Sequence, residues 1–182
     1  MYDFSNFKKQ IKGTEDWLQK ELGQVRTGRA MPTILDGVAV EAYGSMVPIS
    51  NVATISSEDP RTLRISPWDA SNIKPIEKAI QTSNLGLSVA VDDKGLRVAF
   101  PALTTESRGN FVKIAKQKLE DAKVALRQER NKVNDELNDG KKDGSMSEDE
   151  VMRAKTEVDK LIKEATDKLE SITKKKEDEI MG

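Results

Sequence analysis

Arg26-Thr-Gly-Arg-Ala-Met-Pro32 and Pro101-Ala-Leu-Thr-Thr105 are the two stretches that decide the fold. Before the first, Phe4, Phe7, Ile11, Thr14, Leu18 and Val25, with Leu22 beside them, recur at helical spacing from about Asp3 to about Val25. Gly28 and Pro32 then stop that helix. After the second stretch, helical spacing resumes. Between the two it is absent. A lone amphipathic helix must bury its stripe, and the only long stripes available lie after residue 105. The two ends therefore pack into one body, and residues 30–104 form an insert reached by two crossings, near 29–32 and 101–105. Thr27, Gly28, Arg29, Ala30 and Pro32, with Pro101, Ala102, Leu103 and Thr104, are the expected hinge.

Inside the insert the period shortens to two. Val38, Val40 and Ala42 alternate, and Gly44-Ser45 turns the chain toward a strand at Met46–Ile49. Val52–Ile55, Leu63–Ile65, Val89–Val91 and Leu96–Phe100 read as further strands, the last two joined by the turn Asp92-Asp-Lys-Gly95. Ile73, Ile76, Ala79 and Ile80 mark one helix. Pro75 belongs in its first turn, which places the cap at Ser71 rather than Asp69. Trp68 is expected in core or junction packing rather than at a ligand.

The C-terminal part reads as a helical hairpin. The first helix runs from Thr105 to about Leu137 on Phe111, Ile114, Ala115, Ala122, Ala125, Leu126, Val133 and Leu137. Asn138–Gly144, polar with two glycines, is the expected loop. Ser147-Glu-Asp-Glu150 has the spacing of a capping box. The second helix continues to about Ile180 on Val151, Ala154, Val158, Leu161, Ala165, Leu169 and Ile172. The fold class is α+β: an elongated antiparallel three-helix bundle from 1–29 and 105–182, with an inserted small β/α/β sandwich domain at 30–104.

The chain has neither cysteine nor histidine. That removes thiolate chemistry and the commonest general base and transition-metal ligand. No nucleophile–base set, metal site or cofactor motif is present, so catalytic, metal and cofactor assignments are all none. No stretch approaches the ~18 apolar residues of a membrane helix, and the start lacks a basic segment followed by an apolar run. A cytoplasmic monomer is expected.

Net charge is -1, so binding to nucleic acid requires a local patch. One exists. From Lys113 to Lys132 there are seven basic residues (Lys113, Lys116, Lys118, Lys123, Arg127, Arg130, Lys132) against three acids (Glu120, Asp121, Glu129), a balance of +4. From Glu148 to Ile180 there are eight basic and eleven acidic residues, a balance of -3. On a helix, Lys116, Lys123, Arg127 and Arg130 fall within about 60° of one another, with Lys113 flanking. Such a stripe meets successive phosphates of folded RNA; the plain alternative is a solvated face with ion pairs. Aromatic residues are 4%, too few for a base-stacking platform. Arg26 and Arg29 are either polar decoration of a helix stop or a pivot that touches a partner.

Arg26–Pro32, Asp59-Pro-Arg-Thr-Leu-Arg-Ile-Ser-Pro-Trp-Asp69, Ile76–Ile80, Ser83-Asn-Leu-Gly-Leu87, Pro101–Thr104 and Ala122-Lys-Val-Ala-Leu-Arg127 together resemble the bacterial ribosome recycling factor family, in order and over essentially the whole chain. The resemblance implies an L-shaped molecule with a hinged head. It also implies a factor that binds the post-termination ribosome through large-subunit ribosomal RNA. With elongation factor G and GTP it would split that ribosome, releasing messenger RNA and deacylated transfer RNA, and hydrolyse nothing itself. By the same resemblance Arg130 is the principal RNA-contacting arginine, Arg127 its companion, and Arg29 and Arg108 basic contacts near the hinge. Ser107 and Asn131 stand where the family usually has arginine. Two other readings stay open: a ribosome-binding silencing factor on the same fold, and a coiled-coil adaptor with protein clients.

Overall fold

The computed structural model describes residues 2–182; Met1, the first residue of the segment assigned to the bundle, lies outside the described residues. The chain forms two compact units. One holds the residues up to Leu22 together with Lys113–Glu177; the other holds Gly23–Val112 with Asp178–Gly182.

Three helices build the first unit: α1 (Ser5–Gly23), α3 (Thr105–Lys142, running into this unit from the other) and α4 (Glu148–Met181). At 1.5 Å per residue, α3 and α4 are each longer than about 50 Å. The Asp3 carboxylate accepts from the Ser5 N–H at 2.9 Å and opens α1. Phe7, Ile11, Leu18 and Leu22 of α1 are buried, as are Ala115, Ala122, Leu126, Val133 and Leu137 of α3 and Val151, Ala154, Val158, Ala165 and Leu169 of α4. The many alanines keep this core thin, so each large side chain, at roughly 1.5–3 kcal/mol of burial, carries an unusual share of the stability.

The stripe of α1 differs from expectation at one turn. Glu15, not Thr14, occupies the seam, because the step from Ile11 to Leu18 passes through it. A buried carboxylate is costly unless paired, and Glu15 accepts from Lys168 of α4 at 2.5 Å. The expected loop at Asn138 also needs correction. Helix α3 runs on through Gly140 to Lys142, and the turn is confined to the residues before Glu148. Gly140 is tolerated there because Met146 Sδ and Ser145 Oγ close over it, 3.2 and 3.3 Å from where a Cβ would sit. The capping box forms as read: the Glu150 N–H donates to Ser147 Oγ at 3.3 Å, and the Ser147 N–H donates to the Glu150 carboxylate at 3.0 Å.

Tyr2 donates its hydroxyl to Glu136 of α3 and stacks edge-on with Phe4. Burial, then the hydrogen bond to Glu136, pushes the phenol up to about 12. A folded-state pKa above the unfolded value gives stability that is complete below pH ~10 and lost as pH rises through ~12. Alkaline titration by ultraviolet difference absorbance is expected to show an ionisation near pH 12 that Tyr2→Phe abolishes. If the step survives in that variant, the assignment is wrong.

In the second unit, β1 (Ala39–Ala42) and β2 (Ser45–Pro48) form an antiparallel hairpin. Strands β3 (Ala53–Asp59), β4 (Thr62–Pro67), β5 (Ser88–Asp92) and β6 (Gly95–Ala99) form an antiparallel sheet ordered β3-β4-β6-β5. Leu63 pairs with Val98 and Ile65 with Leu96. All four point inward and are fully buried, the period-2 pattern in three dimensions. Helix α2 (Ile73–Thr82) packs across β1 and β5 and adds Ile76 and Ile80 to the same cluster. At Gly95, φ is +128° and a Cβ would lie 2.3 Å from the Ile65 carbonyl oxygen, so only glycine fits between β6 and β4.

Two readings of this unit are corrected. Asp69, not Ser71, supplies the cap: its carboxylate accepts from the Ser71 N–H at 2.9 Å and opens a 3-10 turn, Ala70–Asn72, that leads into α2. That backbone bond holds the Asp69 carboxyl below its usual range. Trp68 is not in the core. It follows Pro67 at the end of β4, is 69% exposed, and donates its indole N–H to Thr54 Oγ1 at 3.1 Å.

Candidate RNA-binding face

Seven-residue steps along α3 place Lys116, Lys123 and Arg130 on one flank of the helix, and α4 meets each with an acid. Lys116 Nζ lies 3.9 Å from Glu177, Lys123 Nζ 2.7 Å from Glu170, and Arg130 Nη2 2.9 Å from Asp159. The negative balance of α4 is therefore spent partly on the positive balance of α3. The stripe is at once an interhelical ladder and a cationic face.

The rungs are unequal. Lys123 is 22% exposed and has a second acid, Glu120, at 3.6 Å; its hydrogen bond to Glu170 raises its pKa further. It is tied into the bundle. Arg130 is 44% exposed and places both Nε and Nη2 on one oxygen of Asp159, leaving its other donors open. Exposed pairs of this kind are held weakly. Lys113 and Arg127 are exposed and have no ion pair among the described residues. Lys118, on the far flank, bonds Glu21 at 2.7 Å and lies 5.9 Å from the Trp17 ring centroid.

The remaining candidates lie in the second unit. Arg26 is buried, 8% exposed, with its guanidinium under the Phe100 ring. It donates to the carbonyls of Leu85 at 3.3 Å, Gly86 at 3.2 Å and Pro101 at 2.6 Å. Burial draws its pKa down. Its donors face inward, so Arg26 is a structural tie and the expectation of an RNA contact is withdrawn. Arg29 is exposed on a cleft shared with Asp59 and Pro60. Arg108 donates to the carbonyls of Ile180 at 2.8 Å and Met181 at 2.5 Å, closing the end of α4 where a cation offsets the helix dipole.

All nine expected hinge residues fall in this second unit. Thr27 and Ala30 are buried, and the Ala30 N–H donates to the Pro60 carbonyl at 2.8 Å. Pro32 opens a 3-10 turn, Pro32–Leu35. Pro101 receives Arg26. Thr104 caps α3, its Oγ1 accepting from the Ser107 N–H at 3.1 Å. Sequence reasoning missed Arg26 as a tie; the signal was an arginine beside the buried Val25 and Thr27 with no acid nearby in sequence. It also missed Asp159, whose pairing depends on helix register.

The sequence and the architecture match one set of known proteins. The family model described as ribosome recycling factor matches residues 18–181. This chain belongs to the ribosome recycling factor family. The ribosome-recycling factor of Bifidobacterium adolescentis is 42% identical over 174 residues, covering 96% of this chain and 95% of that one. That of Methylorubrum extorquens strain PA1 is 39% identical over 180 residues, covering 99% and 96%. The solution structure of a ribosome recycling factor superposes with a TM-score of 0.76 at 31% identity, covering 100% of this chain and 99% of that one. The T. thermophilus ribosome recycling factor, bound with E. coli elongation factor G to the E. coli post-termination complex, gives 0.68 at 37% identity, covering 98% and 97%. Among the described residues, no helix of this family member is long and apolar enough to cross a membrane.

Proposed function

We propose that this chain recycles ribosomes: it binds the post-termination ribosome and, with elongation factor G and GTP, parts the subunits and frees messenger RNA and deacylated transfer RNA. The observation that carries the reading is family membership over nearly the full length. The chain works in the cytoplasm and performs no catalysis; GTP hydrolysis belongs to the elongation factor.

Docking falls to the α3 stripe. Arg127 and Arg130 grip phosphates of large-subunit RNA, arginine being suited to bidentate contact, and Lys113 and Lys116 add charge beside them. Lys123 holds α3 to α4. The crossings near 29–32 and 101–105 let the head, 30–104, yield to the translocase, while the bundle is too stiff to absorb the push. Solution relaxation measurements in which head and bundle tumble as one rigid body would sink the hinge.

The test is light scattering of post-termination ribosomes with this protein, elongation factor G and GTP. A fall in scattering that requires all three supports recycling. Tight ribosome binding without splitting, with a translocase from the same source, would favour a silencing factor. Binding to protein clients and not to ribosomes would favour an adaptor.

A further inference from the structure

Helices α3 and α4 keep one antiparallel register along the ladder. Lys116 faces Glu177; seven residues on, Lys123 faces Glu170, seven residues back. Fifteen residues further, Asn138 accepts from Lys155 at 2.7 Å, fifteen residues back again. The register thus holds on both sides of Arg130. Seven residues past Lys123 is Arg130, and seven before Glu170 is Lys163. At this rung a cation, Lys163, stands on α4 where Glu177 and Glu170 stand at the two rungs before it.

The consequence is visible in Arg130. With lysine opposite, it turns one helical turn along α4 and takes Asp159 instead. Lys163 is exposed and has no ion pair among the described residues. Arg127, one turn before Arg130 on α3, is likewise exposed and unpaired among them. The register thus puts Lys163 of α4 opposite Arg130 of α3, with Arg127 one turn away, where the ladder lacks its acid.

We propose that Lys163 completes, with Arg127 and Arg130, a cradle for a phosphate of the RNA backbone, extending the binding face from α3 onto α4. A phosphate seated there replaces the missing acid. It relieves the repulsion between Arg130 and Lys163 and draws Arg130 away from Asp159. The inference rests on the reading of the stripe as the RNA-binding face.

The experiment measures binding to intact ribosomes as a function of salt, for wild type, Lys163→Gln, Lys163→Arg, Lys163→Glu and Arg130→Ala. Lys9→Gln, the same loss of charge on the outer face of α1, is the control. Lys163→Gln is expected to weaken binding roughly three- to tenfold and to lower the slope of log affinity against log salt by about one, as loss of one phosphate contact requires. Lys163→Arg restores both. Lys163→Glu is expected to do more harm than Gln, because it returns an in-register acid that captures Arg130. Thermal unfolding of each variant identifies any loss that comes from the bundle rather than the contact.

If Lys163→Gln matches Lys9→Gln while Arg130→Ala still weakens binding, the cradle is wrong and the stripe stands. If Arg130→Ala has no effect either, the stripe itself is wrong. Inorganic phosphate at constant ionic strength is the second arm. Competition by phosphate beyond that of chloride, lost in Lys163→Gln, supports the cradle; phosphate binding to the free protein that needs Lys163 but leaves ribosome affinity unchanged would overturn the assignment to RNA in favour of a free phosphate site.

Discussion

Replacing Arg127 and Arg130 together with alanine is expected to weaken ribosome binding on the order of 100-fold and to abolish splitting at protein concentrations where wild type works. The unfolding temperature of the bundle should hardly move. The reason lies in what each side chain does in the free protein. Arg127 has no ion pair among the described residues, and Arg130 has only an exposed one. Little internal stabilisation is lost with either, so their charge is available to a partner. Lys123→Ala is expected to do the reverse. It removes a half-buried ammonium held by Glu170 and Glu120, so unfolding should shift down while the salt slope of binding stays near that of wild type. Equal losses of affinity in Lys123→Ala and Arg127→Ala would show that the stripe acts as a uniform field and not as a set of separate contacts. Calorimetry and salt-titrated binding on the same samples decide between them.

Arg26→Ala is expected to destabilise the second unit by about 3–5 kcal/mol. Three carbonyls lose a charged donor, each such bond being worth roughly 1.5–3 kcal/mol before relaxation, and the contact with the Phe100 ring goes too. Water entering the gap recovers part of this. Arg26→Lys should recover little, because one ammonium cannot reach Leu85 and Gly86 on one side and Pro101 on the other. Urea unfolding followed on the amide signals of Leu63 and Val98, both fully buried in this unit, measures the effect. A midpoint unchanged in Arg26→Ala would mean the guanidinium is dispensable and Arg26 free for another role.

Much of this was legible in the sequence, for identifiable reasons. Strands β4 and β6 were legible because Leu63, Ile65, Leu96 and Val98 alternate without interruption, and the long helices because their apolar residues persist for many turns. The capping box at Ser147 was legible because it is a purely local bond pattern. What failed depends on neighbours distant in sequence. Gly140 reads as a helix breaker until Met146 is seen folded over it. Trp68 reads as core until the sheet is seen to leave its end uncovered. Asp69 lost to Ser71 on the sequence because Pro75 could be placed in the first turn of one continuous helix, whereas a short 3-10 turn intervenes. Within the cationic stripe, the residue types on α3 were evident, but their division into bound and free cations was not. That division is set by the register of α4, which no local pattern encodes.

The cluster from Ala30 to Phe100 closes on itself, and the stripe from Lys113 to Arg130 belongs wholly to the other unit. Damage to the two should therefore behave differently in a cell that also carries an intact copy. If the stripe docks the ribosome as proposed, a stripe allele is expected to leave ribosomes alone and to be recessive. A head allele with a sound bundle is then expected to occupy ribosomes it cannot split, and so to poison its healthy counterpart.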